Sequence, residues 1–382
     1  MKKTRTAISL ISIIVMVPMI VALWDRLPMD RQPLIEKKYG GWSGVLRLWI
    51  NQGWQVGGNL AAWLNPCIES FEKAHPGVYI QPEYVEASAM AAIGEDNMQP
   101  PDLALYPAGR MADPVNSARP VLLGGYLWAF NRNIIDRIPD TWRNVDMPIG
   151  CPPDDDDHCW SVALLALCSG RFENEESRAE SAVPGGLDLG LGEIVQPATA
   201  PTTAPIADGP CCQLPEGFAF SENAYTDFVN GDLAAIPVTQ REVRRLQALS
   251  EQGKGVDWQL GASGAAFTDQ VMVIRAVNDQ ADERSELCRA FIDHLCSDAC
   301  QCTLSRIGAF SATGVPSGYS AADPLCLMDE WLRRPDRVMP NPDDSGWRYS
   351  AEPIVRVFLS GSGDSAVLWR RLAQELGQKT EH

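Results

Sequence analysis

Between Gly44 and Tyr84 the spacing of apolar residues changes character twice. Val45 to Ile50 is apolar except for Arg47 and ends at the turn residues Asn51-Gln52-Gly53, which predicts a strand. Leu60, Leu64, Ile68 and Phe71 then recur at helical spacing. Pro66 lies inside that run, either as the first helical residue behind an Asn65 cap or as a kink. Pro76-Gly77 stops the helix, and Val78, Ile80 and, after a break at Pro82, Tyr84 alternate with polar neighbours as a strand does. A strand, a helix and a strand in this order form a right-handed parallel crossover, so the chain opens an α/β domain.

The same reading continues downstream. Leu103–Tyr106 and the Gly-broken stretch Val121–Phe130 are strand-like, "IPDTW" (138–142) starts a helix capped by Asp140 or Thr141, and Ser161–Cys168 is an apolar, buried helix. Asn223–Phe228 is a helix, a turn at Asn230-Gly231 leads to a strand, and Glu242–Glu251 is a helix ended by Gly253. Phe267–Ala276 reads as a strand, and Asp282–Ile307 as one long helix with Leu287, Phe291, Leu295 and Leu304 on its apolar face. Leu325–Leu332 and Ala366–Leu376 are helical. Residues 171–215 are rich in Pro, Gly, Ala and Thr and poor in aromatics, the composition of a disordered insertion that buries too little surface to offset its ordering entropy.

The N-terminus stands apart. Lys2, Lys3 and Arg5 precede Ala7–Trp24, an uncharged apolar run that makes residues 1–24 a signal sequence or a membrane anchor. Pro18 and the shortness of the run suit a cleaved signal; the missing small-x-small cleavage site favours an uncleaved anchor. Residues 25–43 read as a stalk, with the rest of the chain outside the cell. The net charge of −17 argues against nucleic acid and anionic membrane surfaces as partners. Four histidines leave little for His-based metal or catalytic sites, and the eleven cysteines, an odd number, cannot all pair within the chain.

"CPPDDDDHCW" (151–160) invites a metal reading, but adjacent carboxylates cannot all turn to one ion, and a solvated acidic loop closed by a Cys151–Cys159 disulfide is the stronger reading. Cys296 and Cys300 share a face of the expected long helix, open to zinc or to structural or disulfide roles, and Cys211-Cys212 offers further partners. G-x-S-x-G, H-E-x-x-H and P-loop motifs are absent from the sequence.

Several phrases in order resemble a known family. "LRLWI" followed by "FEKAHPGVYIQPEYV", "PPDLALYPAGRM", "YLWAFNRNIIDRIPDTW", "FVNGDLAAIPV", "ERSELCRAFIDHLCSDACQCTLSRIGAFSATG" and "VMPNPDDSGW" resemble the extracellular solute-binding proteins of ABC importers, the type that includes the maltose-binding protein. The chain departs from that pattern in a shortened region after "DTW" and in "GAFSATG", which lacks the family's Pro. The resemblance implies an α/β, two-lobed periplasmic-binding-protein-like fold with interlobe hinge crossovers. Lobe one would take 44–120 and 262–312, and lobe two 121–261 and 313–382 with the 171–215 insertion. It implies a small-molecule ligand of the carbohydrate class, ABC permease subunits as partners, attachment to the membrane through the N-terminal segment, no cofactor and no catalysis. The alternative is a divergent member acting as a surface sensor or interaction protein.

Loops at the carboxyl ends of parallel strands line such a cleft. Asn51, Gln52 and Trp54 follow the first strand, and Tyr106 and Arg110 follow "PDLAL"; each set suits hydroxyl bonding and stacking, or is a plain surface turn. Trp347 stands where the resemblance places a stacking aromatic, and otherwise is a core Trp. Phe267, with Asp269, lies on a lobe-crossing strand and completes the ligand-binding set.

Overall fold

The computed structural model describes residues 41–54, 57–93, 100–109, 118–135, 148–169, 214, 217–277, 281–342 and 344–377. The N-terminal segment 1–24, Arg110, the helix start at 138–142, Cys211-Cys212 and nearly all of the insertion lie outside the described residues.

The opening crossover forms as its pattern predicts. β1 (Gly44–Ile50) leads through α1 (Ala61–Ala74) to β2 (Val78–Tyr84), which pairs parallel to β1 from Gly44 opposite Val78 to Ile50 opposite Tyr84. Trp63, Leu64, Cys67, Ile68 and Phe71 form the buried stripe of α1. Pro66 is neither at the first position nor a break. It sits on the exposed face of a continuous helix, where water can serve the carbonyl its missing N–H leaves free.

The first sheet has the order β11-β4-β10-β3-β1-β2. β3 (Leu103–Pro107) runs parallel to β1, β10 (Val271–Ala276) runs against both β3 and β4 (Arg119–Leu123), and β11 (Phe310–Ser311) runs against β4. The short helix α2 (Ala87–Ala91) follows β2. α1 is clamped on this sheet beside α6 (Glu283–Leu295), with the Phe71 and Phe291 rings edge-to-face at 5.1 Å.

The second sheet has the order β7-β6-β8-β5-β9. β6 (Ile149–Cys151) runs parallel to β7 (Phe218–Phe220) and β8 (Ala235–Thr239), while β5 (Tyr126–Asn131) is antiparallel to β8 and β9 (Trp258–Gly261). α3 (Trp160–Leu167) is buried along its whole length beneath α9 (Trp347–Leu359) and α10 (Ser365–Gly377), which is why its sequence shows an apolar run with no polar face. α4 (Ala224–Asn230), α5 (Gln240–Glu251) and α8 (Leu325–Leu332) complete the layers, and α5 opens with a capping box between Thr239 and Glu242.

Several expectations are corrected. Val121–Phe130 is not one strand but two on different sheets, β4 and β5, and β4 carries past the lobe division expected at 120. The expected helix 282–307 breaks into α6, α7 (Asp298–Gln301) and a 3₁₀ turn (Leu304–Ile307), because Ser297 takes an extended backbone between them. The strand expected from Phe267 starts at Val271, and Phe267 itself forms an isolated parallel bridge with Val338. α9 escapes the sequence reading because Pro353 lies inside it.

The chain passes between the sheets at Gly124-Gly125 and again over residues 262–270. These crossings are tied by a buried glutamine pair. Gly124 N donates to the Gln270 carbonyl at 2.8 Å, Gly125 N to Gln240 Oε1 at 3.0 Å, and Gln240 Nε2 to Gln270 Oε1 at 2.8 Å. A Cβ on Gly124 would stand 2.0 Å from Gln270 Oε1, and one on Gly125 would stand 2.6 Å from Leu332. Glycine is required at both positions by space.

Candidate functional site

Because β3, β1 and β2 are parallel neighbours, their carboxyl ends leave the first sheet along one edge. In the second sheet β6, β7 and β8 end beside the start of β5, at the edge where the chain has just crossed over. The two edges are joined by the Gly124-Gly125 crossing. The candidate site is the crevice edge built from the loops that leave them.

On the first sheet's edge, Asn51 is pinned rather than free. Its backbone N donates to the Leu105 carbonyl at 2.9 Å and its Nδ2 to the Val85 carbonyl at 3.0 Å, so one residue ties the end of β1 to the ends of β3 and β2. Gln52 is exposed beside it. Tyr84, opposite Ile50 at the end of β2, is 54% exposed, and its hydroxyl is pushed upward in pKa by partial burial. Glu83 is also exposed and accepts from Trp49 Nε1 at 3.1 Å. Tyr84 is not among the residues that the sequence placed at this edge. The signal was present, since a parallel partner of β1 must end on the same edge.

The remaining expected site residues that the structure describes are packed. Trp54 is 3% exposed and joins the core between α1 and the first sheet. Tyr106 is buried on β3 with the Arg275 guanidinium 5.9 Å from its ring centre. Phe267 and Trp347 lie edge-to-face at 6.4 Å, and Phe267 also meets Trp369 at 5.7 Å and Tyr126 at 6.2 Å. Trp347 sits against the loop after β3: Gly109 N donates to the Pro342 carbonyl at 3.0 Å, and a Cβ on Gly109 would stand 3.6 Å from the indole nitrogen. The structure thus brings Asn51 and Gln52 to one edge and Phe267 and Trp347 to one aromatic cluster, without joining the two groups through an exposed ring.

The loop 152–159 leaves β6 at the facing edge, and it is more ordered than an acidic surface loop. Asp154 accepts from Ser161 N at 2.7 Å and Ser161 Oγ at 2.6 Å, over the first turn of α3. Asp155 accepts from the backbone N of Asp157 and of His158 and meets His158 Nδ1 at 2.9 Å. Cys151 and Cys159 stand as separate buried thiols, in contrast to the expected disulfide. Cys159 Sγ faces Asp154 and Ser161 instead, and burial pushes its pKa up to about 12. Beneath the loop, Asp269 accepts from Tyr126 Oη at 2.5 Å, Cys159 N at 3.0 Å and Arg348 at 3.3 Å. Its complete burial raises the carboxyl pKa, with the tyrosine and Arg348 pulling against that rise. Cys296 and Cys300 do not share a helix face, because the chain breaks at Ser297 between them. Among the described residues there is no cluster suited to a metal ion, and no helix long and apolar enough to cross a membrane.

A maltodextrin-binding protein from L. casei BL23 matches this architecture with a TM-score of 0.54 at 11% identity, over 88% of this chain and 98% of that one. The chain has that two-lobed fold. A family 1 extracellular solute-binding protein from Bifidobacterium longum subsp. infantis is similar at a TM-score of 0.51 and 11% identity, over 88% of this chain and 100% of the other. No protein-family model matches the chain, and no curated protein matches it by sequence. In this fold each sheet is the centre of one lobe, and the glutamine-tied crossings join the two sheets.

Proposed function

We infer that the protein is an extracytoplasmic solute-binding protein, tethered by its N-terminal segment, that captures a carbohydrate and passes it to an ABC permease without performing chemistry. The observation that carries this reading is the carboxyl edge of the first sheet, on a two-lobed scaffold. Exposed Gln52 and the half-exposed Tyr84 lie at the strand ends joined by Asn51, while Glu83, one residue earlier on β2, faces the other side of the sheet with Trp49. A flat ring and an amide at one strand-end edge suit the apolar face and hydroxyl rim of a sugar. Lobe one would comprise 44–120 and 262–312, with β4 kept whole to Leu123, and lobe two the remainder after the crossing. Arg110 belongs with this set by its place in sequence after β3.

One observation favours a second reading, a sensor or interaction protein without transport. Trp54, Phe267 and Trp347, the aromatics expected to stack on a ligand, are all buried in packing. A thermal-shift screen of the purified protein against sugars, oligosaccharides, amino acids and polyamines separates the two. A ligand that binds the folded state raises the melting temperature in proportion to the logarithm of its excess over Kd. A carbohydrate hit lost in Tyr84→Ala and Gln52→Ala supports capture. A well-folded sample with no hit in any class overturns it in favour of the second reading.

A further inference from the structure

Cys67 and Cys300 are far apart in sequence, yet each is buried against the other where α1 meets α7. Their thiols hydrogen-bond to each other. Trp63, one helical turn before Cys67 and on the same face of α1, donates its indole N–H to the Cys300 carbonyl at 3.0 Å. α1 therefore fixes the backbone of Cys300 with Trp63 and faces its sulfur with Cys67, one turn further along the same stripe. His294 completes the group: its Nε2 lies 3.5 Å from Cys300 Sγ, 3.1 Å from the Cys67 carbonyl and 2.8 Å from Ser70 Oγ. Ser70 is exposed, so the imidazole stands between the sulfurs and solvent. The contrast with Cys151 and Cys159 is direct, since Cys159 faces carboxylate and hydroxyl oxygens.

We propose that Cys67 and Cys300 are a redox pair that closes a disulfide between α1 and α7, held in register by His294. The inference rests on the geometry of the first sheet's helices and not on the solute-binding reading. Ser70 Oγ donates to the Cys67 carbonyl at 2.9 Å, so His294 Nε2, facing that carbonyl and Ser70 Oγ, is the donor in this network and holds the two cysteines in register, while the Cys300 proton passes to a buffer base. Of the two thiols Cys300 is the better suited to lose its proton, because the hydrogen bond from Cys67 holds its pKa below the ordinary thiol value and raises that of Cys67. The Cys300 thiolate attacks one sulfur of a small external disulfide and releases the first thiolate. The Cys67 sulfur, losing its proton, then attacks the Cys300 sulfur of the mixed disulfide and releases the second. Two protein thiols are oxidised and one external disulfide is reduced to two thiols. The bridge closes a chain loop that includes β3 to β10, so it limits the unfolded state strongly.

The test treats the full-length protein with oxidised glutathione, alkylates it with N-ethylmaleimide and maps peptides without reduction. The expected result is a linked Cys67–Cys300 peptide, absent from Cys300→Ala, and an oxidised form that melts about 3–6 °C above the reduced form. Alkylation of both cysteines after oxidation overturns the proposal, as does glutathione held only at exposed Cys302. Protection of both thiols by zinc with no linked peptide also overturns it, in favour of metal binding. The wild-type map needs no variant, so a variant that fails to fold does not block the decision.

Discussion

Replacing Trp347 by Ala asks whether this ring supports the second lobe or forms an open stacking surface. In the structure it is 6% exposed, edge-to-face with Phe267, and covered by the loop at Gly109. Truncating a buried aromatic of this kind costs about 3–5 kcal/mol, through lost transfer energy and the cavity left behind. The unfolding entropy of a chain of 382 residues is about 0.8 kcal/mol per kelvin at ~2.1 cal/mol/K per residue, so the melting temperature should fall by about 4–6 °C. Differential scanning calorimetry of unliganded protein measures it directly. Trp347→Phe, which keeps an edge for Phe267, should lose less than half as much. The reasoning is refuted if Trp347→Ala melts within about 1 °C of the wild type while a sugar-induced shift vanishes. In that case the indole would be a free ligand platform in solution.

Gly124→Ala forces a Cβ to within 2.0 Å of Gln270 Oε1, so the glutamine pair must break or the crossing must shift. Urea unfolding should show a loss of about 1–3 kcal/mol, and an unchanged midpoint would disprove the tight crossing. Burial raises the Asp269 carboxyl above its ordinary value of 3.8, so the folded state holds this proton at a pH where the unfolded state has lost it. Its contribution to stability is therefore full below 3.8 and is lost as pH rises through the raised value. Asp269→Asn should flatten that part of a stability–pH profile; an unaltered slope would contradict the assignment. Tyr84→Ala should leave unliganded stability within about 0.5 kcal/mol, because the ring is half exposed, but weaken sugar binding about 3- to 10-fold by calorimetric titration.

Much of the first lobe is legible in the chain. The spacing of Leu60, Leu64, Ile68 and Phe71 specifies α1, and Pro76-Gly77 sets its end, because a one-sided helix and a half-exposed strand write their periods into adjacent residues. Fully buried elements write no such period. α3 reads as an apolar run with no face, and Val121–Phe130 reads as one strand although its halves pair in different sheets. Local composition fixes extended backbone there but cannot say which partner strand is met across the Gly124-Gly125 crossing.

The same division holds for the site. The place of Asn51 and Gln52 at the end of β1 is legible because a turn after a first strand falls on a predictable edge. Tyr84 reaches that edge only through the parallel pairing of β2 with β1, and Trp54 and Trp347 leave it only through packing against α1 and Phe267. An aromatic residue carries the same letter whether its face meets solvent or another ring. Sequence therefore determines where aromatics and turns occur along the strands, by period and punctuation. Which rings remain exposed, and which cysteines face each other across helices far apart in the chain, is decided by long-range packing, because burial is a property of the assembled layers and not of any local window.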